Sequence, residues 1–206
     1  MEGFKDVVAT SASICTILQF FTGILVCQKY VRNGTTGDSS PFPFVSGFLS
    51  SCIWLRYGFL LQDPSLIVVN TIGASLQLAY VVTFYFYTIT KSVVVKQMLA
   101  VTAGVVVLLC YTQYDTDMDR TKTHVGFIAS LVTILFFAAP LTMLANVLDK
   151  KSVDSLPLPL IMATFVCCLQ WLIYGYILGD PFIQIPNVLG TIISGFELTL
   201  FLIYPS

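Results

Sequence analysis

The chain has 206 residues, of which 56% are hydrophobic and only 10% are charged, and its mean hydropathy is +0.86. Soluble globular proteins contain roughly 45–50% apolar and about 25% charged residues, so this composition excludes a soluble enzyme, a secreted disulfide scaffold and a disordered chain. A helix needs about 20 apolar residues to cross a bilayer, and such runs recur along the whole chain. The net charge of −1 provides no basic surface for a nucleic acid. We therefore expect a polytopic membrane protein without a nucleic-acid partner.

Breaks in hydrophobicity predict seven membrane-spanning helices, at residues 6–28, 42–61, 65–90, 93–112, 125–148, 157–178 and 182–204. The first apolar stretch is too long for the core of a signal peptide, so we expect it to be retained as a span. The connections are short and leave no room for a soluble domain. Function must therefore lie within the helices.

Basic residues are concentrated in alternate loops, which are those after the first, third and fifth spans: Lys29, Arg32, Lys91, Lys96, Lys150 and Lys151. Short cytosolic loops carry an excess of Lys and Arg, which predicts a cytosolic C-terminus and an outside or luminal N-terminus. Asn33-Gly34-Thr35 is a glycosylation sequon on the predicted cytosolic side. We expect it to be unmodified.

The chain matches itself at a shift of about 117 residues. Thr16-Ile17-Leu18 returns as Thr133-Ile134-Leu135, and Phe20, Trp54, Tyr57-Gly58, Asp63-Pro64, Asn70 and Gly73 return as Phe137, Trp171, Tyr174-Gly175, Asp180-Pro181, Asn187 and Gly190; Pro41-x-Pro43 returns as Pro157-x-Pro159 with a slip of one residue. Each copy holds three helices, and the fourth helix joins them. The expected fold is an all-α membrane protein of two parallel three-helix bundles in a 3+1+3 arrangement, with residues 1–90 and 125–206 as the bundles and residues 91–124 as the linker.

The two patterns Trp-x-x-Tyr-Gly, Asp-Pro and Asn-x-x-Gly, at 54–73 and 171–190, resemble those of the SWEET sugar transporters, also called the MtN3/saliva family. SWEETs are a known example of parallel repeats in transporters. The resemblance covers nearly the whole chain and looks like the animal branch of the family. It implies a bidirectional uniporter for glucose or another monosaccharide that works by alternating access. It also implies a place in the plasma membrane or the Golgi, with a sugar and membrane lipid as partners. A homo-oligomer is compatible with the resemblance, and no cofactor is expected.

Asn70 and Asn187 lie one per repeat in otherwise apolar helices. An unpaired amide there costs a few kcal/mol, and a carboxamide offers donors and acceptors without charge, as a sugar hydroxyl requires. The resemblance implies that this pair contacts the sugar. The alternative is a hydrogen bond between helices.

Trp54 and Trp171 occupy matched positions, and a flat indole face packs against the apolar face of a pyranose. We interpret them as part of the sugar pocket, and two bulky indoles favour a monosaccharide over a disaccharide. The alternative is that they anchor their helices at the membrane interface.

Prolines are expected to interrupt several spans, because a proline inside a helix removes one hydrogen bond and produces a kink. The resemblance implies hinge prolines on the first, second, fifth and sixth spans. The matching positions are Gly23, Pro43, Pro140 and either Pro157 or Pro159. Gly23 stands where the second copy has Pro140. The alternative is a set of static kinks.

Tyr57, Asp63, Tyr174 and Asp180 are expected near the outer ends of their helices, where the resemblance implies an extracellular gate. The alternative is an aromatic belt with Asp-Pro caps on the following helices. Gly58 and Gly175 follow the tyrosines and would permit close helix contact.

Few titratable groups are expected within the spans, which favours facilitated diffusion over proton coupling. Glu197 is the one acid clearly inside a span, and its counterpart in the first copy is Tyr80. His124 is expected to be solvated in the outer loop before the fifth span. A related carrier for an amino acid or another small solute stays the alternative function, since a seven-helix receptor needs no repeat and no nucleophile, base or metal cluster suggests an enzyme.

Overall fold

The structure is a computed structural model that describes residues 2–153 and 156–204, and every regular element within those residues is an α-helix. The helices are α1 (Glu2–Asn33), α2 (Phe42–Leu61), α3 (Pro64–Tyr87), α4 (Lys91–Tyr114), α5 (Met118–Phe136), α6 (Ala138–Lys150), α7 (Leu158–Leu178) and α8 (Pro181–Ile203). Within the described residues, seven helical segments are long and apolar enough to cross a membrane, with α5 and α6 forming one of them. The predicted all-α class with seven spans is confirmed.

Pro140 explains why one span is made of two helices. Its nitrogen carries no hydrogen, so it cannot donate to the carbonyl of Phe136, where α5 ends. The Phe137 amide instead donates to the Ile134 carbonyl at 3.0 Å, in a tighter turn, and Leu141 resumes the helix by donating to Phe137 at 3.0 Å. The expected interruption at Pro140 is therefore present.

The other candidate hinge prolines begin helices rather than interrupting them. Pro43 and Pro159 lie in the first turns of α2 and α7, and Pro41 and Pro157 are the residues that precede those helices. A first-turn residue has no earlier carbonyl within its helix to bond, so proline costs no hydrogen bond there. The expectation that Pro43 and either Pro157 or Pro159 interrupt spans is therefore wrong. A hinge role for them, like one for Gly23 and Pro140, stays a prediction.

The chain forms two compact units, one of Thr16–Val125 and the other of Met1–Cys15 with Gly126–Ser206. In the first unit α2 packs against α3, and both contact α4. In the second unit α7 packs against α8, which also contacts α6. The division at residues 90 and 124 that the repeat predicts stays a prediction.

Each unit contains the same close approach between three helices. A methyl group added at Gly73 of α3 would lie 2.7 Å from the Phe20 ring of α1 and 2.9 Å from the Ser51 hydroxyl of α2. A methyl group added at Gly190 of α8 would lie 2.9 Å from the Phe137 ring and 2.6 Å from the Cys168 sulfur. The third helix of each repeat therefore contacts both of the others. Both glycines are thus enclosed within their own unit.

The second and third helices of each repeat also approach closely where they are connected. Methyl groups added at Gly58 and Gly175 would lie 3.2 Å from the Ile67 nitrogen and 3.1 Å from the Gln184 nitrogen. These distances are shorter than ordinary contacts to backbone, so a side chain here would push the helices apart. The sequence-based interpretation of both glycines is confirmed.

A hydrogen-bonded cluster joins α4 to α5. The Asp115 carboxylate accepts from the Tyr111 hydroxyl at 2.9 Å, from the Thr121 hydroxyl at 2.9 Å and from the Arg120 guanidinium. The Tyr111 hydroxyl also lies 2.6 Å from Nδ1 of His124, and the two rings stack. His124 is exposed, as expected of a solvated histidine, but its expected place in a loop is wrong, because α5 begins at Met118 and includes it. Hydropathy does not detect the polar first turns of this helix.

The α2 and α7 helices end in the same left-handed turn, formed by Gln62 with φ 56° and Gly179 with φ 67°. Glycine adopts that region without strain, whereas other residues lose about 1–2 kcal/mol. We expect Gly179→Ala to lower the melting temperature of the purified protein by about 2–4 °C for each kcal/mol lost. Gln62→Ala is the matched control and should leave the melting temperature nearly unchanged, since that site is already strained. Equal effects of the two changes would contradict this account.

The Arg120 guanidinium holds the pKa of the Asp115 carboxyl well below its usual range. A carboxylate with a lowered pKa stabilises the fold above its unfolded pKa of about 3.9, and that stabilisation is lost as the pH falls towards the folded value. We expect Asp115→Asn to lower the melting temperature at pH 7, and the difference from the unaltered protein to narrow below about pH 4. Asp119→Asn removes an exposed carboxylate nearby and is the control. A difference that does not change with pH would show that the charge is not the cause.

Candidate functional site

Asn70 and Asn187 occupy equivalent positions and make the same hydrogen bond. The Asn70 side chain is 8% exposed, and its Nδ2 donates to the Leu66 carbonyl one turn earlier at 2.9 Å. The Asn187 side chain is half-buried, and its Nδ2 donates to the Ile183 carbonyl at 2.7 Å. These bonds lie within α3 and α8 respectively, rather than between helices. A carboxamide has a second N–H and a carbonyl oxygen beyond this bond.

The residues that receive these amide bonds are themselves fixed by the aspartates that begin the helices. Asp63 accepts from the Leu66 amide at 2.9 Å, and Asp180 accepts from the Ile183 amide at 3.2 Å and from Phe182 at 2.8 Å. Each asparagine is thus held by a first helical turn that an Asp-Pro cap defines. The cap interpretation of Asp63 and Asp180 is confirmed, and their gate role stays a prediction.

Each repeat also places a tryptophan against the tyrosine that follows it by one turn. The ring centroids of Trp54 and Tyr57 are 5.8 Å apart at 76°, and those of Trp171 and Tyr174 are 5.6 Å apart at 78°. These are edge-to-face pairs, which fix the orientation of both rings. The pairing is the same in both repeats, which share the sequence Trp-Leu-x-Tyr-Gly.

These aromatic side chains are largely enclosed by protein. Trp171 is 9% exposed, Tyr57 and Tyr174 are each 2% exposed, and Trp54 is half-buried. Residues of an aromatic belt lie at the lipid surface, where their rings contact headgroups. The burial therefore disfavours the belt interpretation for these residues. Their pocket and gate roles stay predictions.

Sequence reasoning missed two features next to these residues. Pro186 lies inside α8 immediately before Asn187, where the first repeat has Val69, and it cannot donate a backbone hydrogen bond. Its presence in an apolar run was a visible signal. Arg56, two residues after Trp54, donates through Nε to the Thr112 hydroxyl of α4 at 2.8 Å. Nothing in the local sequence pairs these two residues, because the contact joins distant helices.

Glu197 lies on the buried face of α8 with Ser194 and Leu200, and it is 5% exposed. Its position within a span is as the sequence predicted. The equivalent position of the first repeat is occupied by Tyr80. The repeat therefore does not make a matched pair of acids.

Comparisons with known proteins agree with this description. The family model described as "Sugar efflux transporter for intercellular exchange", MtN3/saliva, matches residues 6–92 and 123–206. The two matches begin about 117 residues apart, which is the shift of the internal repeat.

Whole-chain relatives are similar over nearly their full length. "Sugar transporter SWEET1" of Drosophila pseudoobscura pseudoobscura is 44% identical over 202 residues, which is 97% of this chain and 89% of the relative. The protein of the same name from Homo sapiens is 33% identical over 207 residues, covering 98% of this chain and 93% of the relative. A solved structure of a eukaryotic SWEET transporter superposes with a TM-score of 0.88 at 26% identity, covering 98% of each chain. The chain therefore belongs to the MtN3/saliva family, the SWEET sugar transporters, and is a multi-pass membrane transporter rather than an enzyme.

Proposed function

We propose that this protein is a bidirectional uniporter that moves glucose or another monosaccharide down its gradient by alternating access. The observation that carries the proposal is the matched asparagine of each repeat, held by the same bond to its own helix. Two neutral amides at equivalent positions suit a substrate that carries hydroxyl groups on several sides. An amino acid carrier would need a charged partner for its substrate, which this pair does not provide.

The strength of the expected contacts also suits a carrier. A neutral hydrogen bond contributes a net stabilisation of about 0.5–1.5 kcal/mol, so a few of them bind a sugar weakly. A deep binding well would slow release on the other side of the membrane. We therefore propose that Asn70 and Asn187 bind the sugar through the N–H and carbonyl groups that their helix bonds do not use.

The tryptophans are proposed to contribute the apolar part of the pocket. A pyranose presents C–H groups on its faces, and an indole ring can cover such a face. Trp54 and Trp171 are each held edge to face by the following tyrosine, so little side-chain entropy is lost when a sugar binds. Two large rings leave less room than smaller residues would, which favours a monosaccharide.

Uniport is supported by the scarcity of titratable groups. Within the described residues, Glu197 is the acid that lies inside a span away from the helix ends, and it has no acidic counterpart in the other repeat. Proton relays in transporters use chains of titratable groups. We therefore propose that the sugar gradient alone drives transport.

The proposed conformational change involves two sets of residues, an extracellular gate and a set of hinges. Tyr57, Asp63, Tyr174 and Asp180 would form the extracellular gate, with the aspartates also serving as helix caps. Gly23, Pro43, Pro140 and one of Pro157 and Pro159 would form the hinge set. Pro159 is the closer counterpart of Pro43, since both lie in the first turn of their helix, two residues after a proline that caps it. Assembly as a homo-oligomer also stays a prediction.

Uptake of labelled glucose into proteoliposomes tests the function. We expect uptake by the unaltered protein that does not depend on a proton gradient, and a loss of about tenfold for Asn70→Ala or Asn187→Ala, with a larger loss for the double variant. Thr71→Ala is the matched control, because exposed Thr71 donates to the Ile67 carbonyl at 2.7 Å in the same part of α3. Its uptake should be unchanged.

The same assay can overturn the proposal in two ways. Uptake that requires an opposing proton gradient would replace uniport with coupled transport. Absence of glucose uptake, with uptake of an amino acid or a disaccharide instead, would replace the proposed substrate.

The proposed membrane is the plasma membrane or the Golgi, with the N-terminus outside or luminal and the C-terminus cytosolic. Lys29 and Arg32 in the last turns of α1 and Lys150 at the end of α6 support this orientation. We expect a glycosylation acceptor tag to be modified when fused to the N-terminus but not when fused to the C-terminus, with native Asn33 unmodified. A gel shift before and after glycosidase treatment measures this. The reverse pattern would invert the orientation.

A further inference from the structure

Gly23 of α1 lies directly against the ring of Tyr80 on α3. A methyl group added at Gly23 would lie 2.7 Å from Cδ2 and 2.9 Å from Cζ of that ring. Carbon atoms that are not bonded to each other do not approach so closely. The Tyr80 ring therefore fills the notch that glycine leaves in α1, at the position where the second repeat has Pro140.

The same tyrosine makes a hydrogen bond to the backbone of α1. Its hydroxyl donates to the Phe20 carbonyl at 2.9 Å, and its side chain is buried. In an α-helix this carbonyl accepts from the amide four residues later, Ile24. A side chain that enters the helical hydrogen-bond ladder is one of the recognised causes of helix bending.

Tyr80 is also held from its other side. The Phe44 ring of α2 lies 5.5 Å from it, centroid to centroid, at 54°. Cys27, one turn after Gly23, is buried in the same cluster as Tyr80 and Phe44. One side chain thus connects α1, α2 and α3 at the position of the predicted hinge.

The second repeat has different residues at the equivalent positions. There the counterparts of Phe20, Gly23 and Tyr80 are Phe137, Pro140 and Glu197. The span is broken at Phe137, whereas α1 is continuous from Glu2 to Asn33. A proline removes a hydrogen bond permanently, while a tyrosine hydroxyl can make or release one.

We propose that Tyr80 is a positioning residue that acts as a releasable latch on α1, with its ring in the Gly23 notch and its hydroxyl on the Phe20 carbonyl. The latch holds α1 against α3 in the conformation described here and takes the place of the missing hinge proline. The proposal rests on the proposed alternating-access function, since α1 must shift against α3 when the transporter changes conformation. Tyr80 does not contact the sugar in this account.

Maleimide labelling of Cys27 measures opening of the latch, in a variant whose other five cysteines are replaced. We expect Tyr80→Phe, which keeps the ring, to raise the rate of maleimide labelling of Cys27 about two- to tenfold in proteoliposomes. Tyr85→Phe is the matched control, because Tyr85 packs against the same cluster, and its labelling rate should be unchanged. An unchanged rate for Tyr80→Phe would overturn the latch.

A second pair of variants tests the notch. We expect Gly23→Ala to speed labelling in the presence of Tyr80, because the added methyl displaces the ring, and to have no further effect when combined with Tyr80→Ala. Equal effects in both backgrounds would overturn the proposed contact. Melting temperatures identify variants that fail to fold.

The labelling assay needs no sugar, so its result separates the latch from the choice of substrate. Where glucose uptake is present, Tyr80→Phe should change the maximal rate by two- to tenfold relative to Tyr85→Phe. If labelling changes but no sugar is transported, the latch stands and the proposed function fails. If transport is intact and labelling does not change, the latch alone fails.

Discussion

The dominant constraint on this chain is that a bilayer offers no hydrogen bonds, so polar groups within a span depend on the protein for their hydrogen-bond partners. The asparagines meet this requirement by bonding to the carbonyl one turn earlier in their own helix. Arg56 meets it by bonding to Thr112 on α4. Polar side chains are therefore tolerated within a span where a neighbouring backbone or hydroxyl group can accept or donate a hydrogen bond. The candidate sugar-binding asparagines lie in such places.

The same constraint explains where the helices begin and bend. Pro43, Pro159 and the Asp-Pro pairs lie in or next to first turns, where the missing amide costs nothing and an aspartate can accept from the exposed N–H groups. A proline deeper in the chain, Pro140, breaks its span in two. A proline in a first turn therefore does not break a span, whereas of the two described prolines beyond a span's first turn Pro140 accompanies a break and Pro186 lies within the continuous α8.

Much of the fold could be predicted from the sequence, because membrane spans are visible as apolar stretches and the repeat is visible when the chain is compared with itself. Seven apolar stretches, the Asp-Pro caps and the close approach at Gly58 and Gly175 follow from that information. The polar start of α5 and the bonds of His124 could not be predicted, because hydropathy does not detect helical turns that extend into water. The Arg56 and Tyr80 contacts were also missed, since each joins helices that are distant in sequence and only the folded structure brings them together.

The two repeats are alike at the candidate binding positions and unlike at the candidate hinge positions, and this difference affects how each repeat would bend. The pairs Trp54 with Tyr57 and Trp171 with Tyr174 have nearly the same geometry. At the candidate hinge position, however, one repeat has a broken helix and the other a continuous helix whose Phe20 carbonyl accepts a hydrogen bond from Tyr80. A broken helix bends without losing a further hydrogen bond, whereas the helix bonded to Tyr80 must release one first. On the proposed mechanism, release of the Tyr80 bond adds a cost to bending α1 that bending at Pro140 does not carry, so substitutions at Tyr80 would change the transport rate without altering the proposed sugar-binding residues.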